Sequence, residues 1–505
     1  MDLIRFPLGD YCALLDRLGL LAAPLPAALD LGRTVELVSC NSRQAVPGTL
    51  FLCKGARFKA EYLADAQRRG AFAYVSEAPY PGISLPCILV GDMRRAMAAL
   101  AVKYYNDPSQ KLKIVGVTGT KGKSSTAYYL KYILDGFLAP RGKTCGVISS
   151  IDTWDGVERF ESHLTTPEPL ELQRHLAHAL SSGLGYVVME VSSQALKYHR
   201  TLGVRFAAAA FLNIGSDHIS PIEHPDFDDY FHSKLKLFAQ ADLSCVNLDC
   251  GHAQEALEAA RAACPRVLTF SRHNPSASVY GRDVRKAGHE ILFQADAAQL
   301  SGQYRLTMPG LFNVDNALAA IAVCLGLDIP LEAVRAGLAR ARVPGRMEVY
   351  ANASGDVTAI VDYAHNRMSF ETLFRSVRQE YPGRRIVTVF GCPGKKAFDR
   401  RRDLGEVSGQ YSDLVVLTEE DSGEEDTLFI CKEIASHVQC ACELQPNRGE
   451  AIRRAVLSCD RPSVILITGK GAETRQKRGL EYIDTPSDVE YAQTFLREYD
   501  ARQGR

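Results

Sequence analysis

Gly116-Val-Thr-Gly-Thr-Lys-Gly-Lys-Ser-Ser125 decides how this 505-residue chain folds. Just ahead of the glycine-rich part, Ile114-Val-Gly-Val-Thr118 has the unbroken apolar character of a buried strand. After it, Ala127, Leu130, Ile133, Leu134 and Phe137 recur at helical spacing. A loop feeding a helix N-terminus presents unpaired backbone N–H groups and the positive end of the helix dipole. Small residues let an anion approach those groups. The stretch therefore reads as a phosphate-binding loop of an ATP-dependent enzyme, made by Gly119, Thr120, Lys121, Gly122, Lys123, Ser124 and Ser125. Lys123 reaches the β- and γ-phosphates, and the Ser124 hydroxyl helps to hold Mg2+. The usual spacing asks for glycine at position 117, where this chain has Val117. The plainer reading is a ligand-free glycine-rich turn; the strand–loop–helix context favours phosphate.

Outward from the loop, apolar runs of strand length alternate with periodic segments of helical length. The runs are Lys113 to Thr118, Tyr186 to Val191 and Ala207 to Leu212, then Thr358 to Val361, Ile386 to Phe390, Leu414 to Thr418 and Val464 to Thr468. That alternation predicts α/β architecture with mainly parallel sheets covered by helices. Breaks at Asn106-Asp-Pro-Ser-Gln-Lys and Arg342-Val-Pro-Gly-Arg346 divide the chain into 1–107, 108–343 and 344–505. Three units suit the length at roughly 150 residues per domain. The tail from Asp488 to Tyr499 reads as a short amphipathic helix.

Composition removes several alternatives. Lys+Arg and Asp+Glu both total 59, so the formal net charge is zero. That balance argues against a general nucleic-acid binder or a polybasic membrane-surface protein. No run of eighteen apolar residues is present, which predicts no membrane span. The start, Met1-Asp-Leu-Ile-Arg-Phe-Pro, lacks the pattern of a signal peptide. The 14 cysteines show no metal-ligand spacing; free thiols without an export signal point to a reducing cytoplasm.

Two further stretches place chemistry near the loop. Val187-Val-Met-Glu190 puts a carboxylate at the end of a buried strand, where ligands of open α/β sheets collect. Glu190 is thus a candidate Mg2+ ligand, against the alternative of a solvent-facing glutamate. In Asp228-Asp-Tyr-Phe-His-Ser-Lys234-Leu-Lys-Leu-Phe238, Lys234 lies four residues from both Tyr230 and Phe238, so it shares their inward face. A buried ammonium readily loses its proton, and a neutral amine can react with CO2; a lysine snorkelling to water is the alternative.

The loop pattern Gly-x-Thr-Gly-Thr-x-Gly-Lys-Ser-Ser resembles that of the Mur ligases, the ATP-dependent enzymes that build the peptide of bacterial peptidoglycan. Folylpolyglutamate synthases carry a related loop. Asn213-Ile-Gly-Ser-Asp217-His218 resembles the Mur segment Asn-x-x-x-Asp-His. The resemblance implies that His218 binds a second Mg2+, that Asn213 lines the nucleotide and that Lys234 is carbamylated, its carboxylate orienting Mg2+. Lys123, Glu190, His218 and Lys234 are then the catalytic set. Gly310-Leu-Phe-Asn313-Val-Asp-Asn316-Ala317, Pro344-Gly-Arg346 and Val361-Asp362 follow in family order. They imply nucleotide contacts by Asn313 and Asn316, phosphate contact by Arg346 and ribose contact by Asp362.

Val38-Ser-Cys-Asn41-Ser42-Arg43, Lys54-Gly55 and Thr165-Thr166-Pro167 resemble the MurE branch, which adds the third residue of the peptide. So do Ser192-Ser193 and Arg200-Thr-Leu-Gly203. The resemblance implies that Ser42 and Arg43 bind the uridine diphosphate, and that Thr165, Thr166, Ser192 and Arg200 hold the muramoyl dipeptide. Glu61 stands where that branch has histidine, and Gln194 is a second departure. The implied fold has a small uridine-nucleotide-binding α/β domain, a central ATPase-like domain and a C-terminal Rossmann-like domain. The implied cofactors are ATP and Mg2+, and the implied partners are UDP-N-acetylmuramoyl dipeptide and a diamino acid. The chain is expected to act as a cytoplasmic monomer.

For the incoming amino acid, the resemblance points to Arg401 for the carboxylate, and to Gly469 and Glu473 in Gly469-Lys-Gly-Ala-Glu473. Diaminopimelate-adding members carry Asp-Asn-Pro-Arg where this chain has Glu420-Asp421-Ser422-Gly423. The distal-carboxylate arginine is gone and six acids lie within residues 418–426. That composition favours a distal ammonium and hence L-lysine, with ornithine or meso-diaminopimelate as alternatives. A solvated acidic loop is the bland alternative. Pro393-Gly-Lys-Lys396 also departs from the family's Gly-Gly-Asp-Arg. The two altered loops leave open a nucleotide-binding protein of the same fold that does not ligate.

Overall fold

The computed structural model describes residues 3–504, except 56–57, 163, 216–218, 220–222 and 288–289. Among the described residues three main sheets carry the chain. The first is parallel and runs in sequence order through Leu37–Ser39, Thr49–Leu52, Ala71–Ser76 and Cys87–Leu89. Parallel pairing demands crossover connections, and the helices Ala60–Arg68 and Met93–Tyr104 lie between and after these strands.

The central sheet has eleven strands among the described residues. Lys113–Thr118 sits at its heart, parallel to Ala208–Phe211 on one side and Tyr186–Glu190 on the other. A strand buried on both faces has to be apolar throughout, which is why Ile114-Val-Gly-Val is unbroken. Both ends of the sheet turn antiparallel, through Val279–Ala287, Glu290–Asp296 and Gly302–Leu306 at one edge and Asp152–Trp154 and Arg159–Glu161 at the other. Lys123–Leu138 and Asn313–Gly326 cover one face and pack in the same core, lined by Leu130, Ile133, Leu134, Leu318 and Ile321.

The C-terminal sheet runs Glu348–Ala351, Val357–Asp362, Ser463–Thr468, Arg385–Phe390, Leu414–Leu417 and Ala441–Leu444. Only its first pair is antiparallel. Strand order reverses where Val357–Asp362 and Arg385–Phe390 flank Ser463–Thr468, a switch point of the kind that opens a crevice at the strands' carboxyl ends. The tail helix spans Asp488–Arg502, held at its start by a Ser487–Glu490 capping box. The expected mainly parallel α/β architecture is therefore present. All fourteen cysteines are free. No helix among the described residues is long and apolar enough to cross a membrane.

Candidate functional site

The phosphate loop is held from behind before any ligand is considered. Gly119 and Gly122 take left-handed φ values of 153° and 83°, which lets the chain turn from strand into helix. A Cβ on Gly122 would stand 2.1 Å from Asn316 Oδ1, so glycine is also required by packing. Asn213 clamps Lys121, its Oδ1 accepting from the Lys121 N–H (2.8 Å) and its Nδ2 donating to the Lys121 carbonyl (3.0 Å). The Thr120 hydroxyl meets the Tyr230 hydroxyl at 3.0 Å. Asn316 donates to Asn313 Oδ1, and Asn313 to the Pro309 carbonyl.

Glu190 does not face solvent: it is 1% exposed. Its Oε1 accepts from Ser150 N–H at 2.9 Å and from Ser150 Oγ at 3.2 Å, and Ser150 Oγ lies 3.2 Å from Ser124 Oγ. This row of oxygen donors has the hard chemistry that Mg2+ takes. Lys234 is 1% exposed and donates to the Gly119 carbonyl at 3.1 Å, its ammonium also lying over the Tyr230 ring. Its helix ends at Leu235, and Phe238 belongs to a following 3-10 turn. Tyr230, Lys234 and Phe238 are nonetheless all buried, while Lys236 is exposed. As an ammonium Lys234 is a donor and cannot ligate a cation. His218 lies outside the described residues.

Loop, carboxylate and C-terminal sheet share one cleft of about 590 Å³. Lys123, Ser124, Thr165, Glu190, Asn213, Asn316, Arg346 and Asp362 all border it. Lys123 donates to the Gly119 and Thr120 carbonyls (3.0 and 3.2 Å). Arg346 stacks over Tyr363 at 4.2 Å. Asp362 accepts from the Met347 and Ala364 N–H groups, and burial raises its pKa above the carboxylate norm. Sequence reasoning missed Ser150, which no motif announces, and Asp315, which also borders the cleft and is pushed up to about 6 by burial.

The expected dipeptide residues come together but divide in role. The Thr166 hydroxyl donates to the Glu190 carbonyl (2.9 Å) and accepts from Ser192 N–H (3.0 Å). Its single donor is spent, so Thr166 fixes the loop while Thr165 borders the cleft. Ser192 caps the helix Ser193–Lys197. Arg200 pairs with Glu168 (2.9 Å), which also pairs with Lys54 (2.6 Å), tying the first sheet's region to the second. Ser42 and Arg43 sit on a 3-10 turn after the first strand, Arg43 exposed.

At the amino-acid end the expected residues sit in a network of ion pairs. Arg401 is 1% exposed and is bound at 2.8 Å to both Glu425 oxygens and at 2.6 Å to Glu433. Helix phase explains this: one residue is 100° of rotation, so within Asp399–Tyr411 position 401 faces inward, while Arg400 acts electrostatically on Glu420 and Cys392. The acidic stretch is no open field of charge either. Glu419 pairs with Arg478, Asp421 with Lys470, Glu424 with Lys395 and Glu425 with Arg401, and Asp426 caps the helix Thr427–Ala435. Glu420 is the member of the six held above the ordinary range, pushed up to about 7 by burial. Gly469 lies against it: a Cβ there would stand 2.1 Å from Glu420 Oε2. Glu473 pairs with Lys470 and accepts from Tyr363 OH at 2.8 Å. The two altered loops pack on each other, Gly394 N–H donating to the Asp421 carbonyl and Lys395 N–H to Glu425.

Residues 117–324 match the Mur ligase middle domain, and residues 345–471 match the Mur ligase glutamate ligase domain. The chain is 40% identical over 474 residues to UDP-N-acetylmuramoyl-L-alanyl-D-glutamate–L-lysine ligase of Enterococcus faecalis, covering 92% of each chain. It is 38% identical to the enzyme of that name from Streptococcus thermophilus, over 92% of this chain and 94% of that one. Among solved structures, a UDP-N-acetylmuramoyl-L-alanyl-D-glutamate–2,6-diaminopimelate ligase shares the fold at TM-score 0.67 and 21% identity, with 99% and 100% coverage. MurF ligase from Thermotoga maritima in complex with ADP does so at TM-score 0.62 and 17% identity, covering 93% of this chain and 99% of that one. At these identities and coverages, the chain belongs to the Mur ligase family.

Proposed function

We propose that this chain is an ATP-dependent ligase that joins L-lysine to UDP-N-acetylmuramoyl-L-alanyl-D-glutamate in peptidoglycan synthesis, working in the cytoplasm. The observation that carries the reading is the shared cleft, in which the phosphate loop and Glu190 face Arg346 and Asp362 from another sheet. The substrates are those of the lysine-adding relatives from Enterococcus faecalis and Streptococcus thermophilus.

In the first step a carboxylate oxygen of the D-glutamyl residue, the γ-carboxylate by family, attacks the γ-phosphorus of ATP. The bond to ADP breaks and an acyl phosphate forms. Lys123 turns from the loop carbonyls to the β- and γ-phosphates, where its charge offsets that of the moving phosphoryl group. Arg346 meets phosphate and Asp362 ribose hydroxyls. Asn213, Thr120 and Tyr230 keep the loop in shape, and Asn313 and Asn316 meet the nucleotide from the cleft wall. Ser124 and Glu190 would hold Mg2+, with His218 and a carbamylated Lys234 as further ligands; the ion supplies charge neutralisation between phosphates. Carbamylation joins the neutral Lys234 amine to CO2 and releases one proton. Thr165 and Arg200 meet the dipeptide, Arg200 by exchanging its Glu168 partner for a substrate carboxylate. Ser42 and Arg43 take the uridine diphosphate.

In the second step the α-amine of lysine, having lost a proton, attacks the acyl carbon, and phosphate leaves. Glu420 reads the side-chain ammonium beside Gly469, and Arg401 takes the lysine carboxylate by exchanging its Glu425 partner, as Arg200 exchanges Glu168. Positioning amine and acyl phosphate together supplies much of the rate. The test is phosphate release from ATP with the UDP-linked dipeptide and a panel of amino acids. Release with L-lysine well above ornithine and meso-diaminopimelate supports the reading. Release with no amino acid overturns it in favour of a nucleotide-binding protein that does not ligate.

A further inference from the structure

A second cluster lies at the far edge of the central sheet and shares no residue with the cleft. Asp155 begins the turn between the antiparallel strands Asp152–Trp154 and Arg159–Glu161, and Glu158 closes it. His175 and His178 stand one turn apart on the helix Pro169–Ser181 that packs beside them. Asp155 Oδ2 is 2.7 Å from His175 Nδ1 and 2.9 Å from His178 Nδ1. Its Oδ1 accepts from the Val157 and Glu158 N–H groups at 3.0 and 2.7 Å, which locks the carboxylate plane. The Asp155 and His175 side chains are 1% and 2% exposed, and that of His178 16%. Ligand atoms of Asp155, Glu158, His175 and His178 all lie within 4.8 Å of one another.

We infer that these four residues form a divalent transition-metal site, with Zn2+ as its natural occupant. The chemistry selects the ion. Two imidazole nitrogens favour zinc-like ions, whereas Mg2+ prefers all-oxygen surroundings. Tetrahedral zinc with ligands at about 2.0–2.1 Å needs ligand atoms roughly 3.3 Å apart. The Asp155–histidine contacts therefore have to open by only about half an ångström, and the imidazoles give up to the metal the hydrogen bonds they now direct at Asp155. Glu158, held by Arg174 at 2.7 Å on a partly exposed surface, swings in as the fourth ligand. The backbone bonds to Asp155 Oδ1 do what outer-sphere partners do for metal-binding carboxylates. The bound ion pins the turn to the helix. The same turn leads to Glu161, which accepts from Thr474 Oγ1 at 2.9 Å beside Glu473, so the clamp borders the contact with the C-terminal sheet's region.

The test titrates the intact chain with Zn2+ and with Co2+, following bound metal, the cobalt absorption spectrum and the thermal midpoint. The wild type is expected to bind one equivalent at this site, with cobalt d–d bands and no sulfur-to-metal charge-transfer band, and with a raised thermal midpoint. His178→Gln weakens that binding by roughly 100-fold, the upper end of what even outer-sphere losses cost, and loses the thermal shift. Glu190→Gln retains it. Equal affinity in wild type and His178→Gln, a sulfur band in the tightest cobalt complex, or no binding at all overturns the site. If His178→Gln does not fold, the more exposed Glu158→Gln decides: weakening of about tenfold or more supports the site, and unchanged affinity refutes it.

Discussion

Replacing Glu420 with glutamine keeps the shape of the buried side chain and removes its charge. Glu420 is deeply buried, and burial pushes its carboxyl to about 7, against the opposing pull of Arg448, Lys470 and Arg400. At about pH 8 the group is ionised by roughly ten to one, and at about pH 6 the ratio inverts. If the ionised carboxylate grips the lysine ammonium, the interaction lost in Glu420→Gln is a charge-assisted hydrogen bond worth about 1.5–3 kcal/mol. At about 1.36 kcal/mol per tenfold, kcat/KM for L-lysine falls by roughly 10- to 150-fold at about pH 8. The deficit shrinks by about tenfold at pH 6, because wild type has by then protonated the same group. Deprotonation of the attacking amine affects both proteins alike and cancels in the ratio. Coupled phosphate release across this pH range, at subsaturating lysine, measures it. A wild-type to variant ratio near one at pH 8, or a ratio independent of pH, refutes the role given to Glu420. Stability supplies a check that needs no substrate. A carboxyl raised above its unfolded value of 4.5 favours the folded state while protonated. That advantage is lost as pH rises through about 7. Ligand-free wild type should therefore lose thermal stability relative to Glu420→Gln over that window.

Other outcomes follow from the same geometry. Lys123→Ala abolishes ligation, with kcat for phosphate release down by roughly a thousandfold or more, as expected for loss of a charge aimed at the transition state; normal turnover sinks the ATP reading. Gly469→Ala places a methyl against Glu420 at a φ of +104°, so it raises KM for lysine and costs about 1–2 kcal/mol of stability, while the KM for ATP moves little. Rigorous exclusion of CO2 lowers activity and bicarbonate restores it if Lys234 works as a carbamate; mass spectrometry of the native chain checks the added carboxyl. Chelation of Mg2+ stops phosphate release. Glu190→Gln raises the Mg2+ concentration needed for half-maximal rate by roughly 10-fold or more, for loss of one charged ligand.

What could be read from sequence was local. The unbroken strand Lys113–Thr118, the glycines that turn it into Lys123–Leu138, and the inward spacing of Tyr230 and Lys234 each depend on residues a few positions apart. Backbone sterics and the 3.6-residue helix repeat suffice to read them. Glu190 was legible as a strand end, but its hydrogen-bond partner Ser150 lies forty residues away, and no spacing rule reaches that far. The acidic stretch at 418–426 shows the limit most clearly. Its composition announced a negative loop, yet Arg401, Lys395, Lys470 and Arg478 neutralise four of its carboxylates across separations that only the folded sheet closes. One helical step decided that Arg401, rather than its exposed neighbour Arg402, is buried and paired with Glu425 and Glu433. The sequence determined the elements and the kinds of charge available. Which charges stay available for a substrate was decided by tertiary packing, because burial and ion pairing depend on neighbours in space.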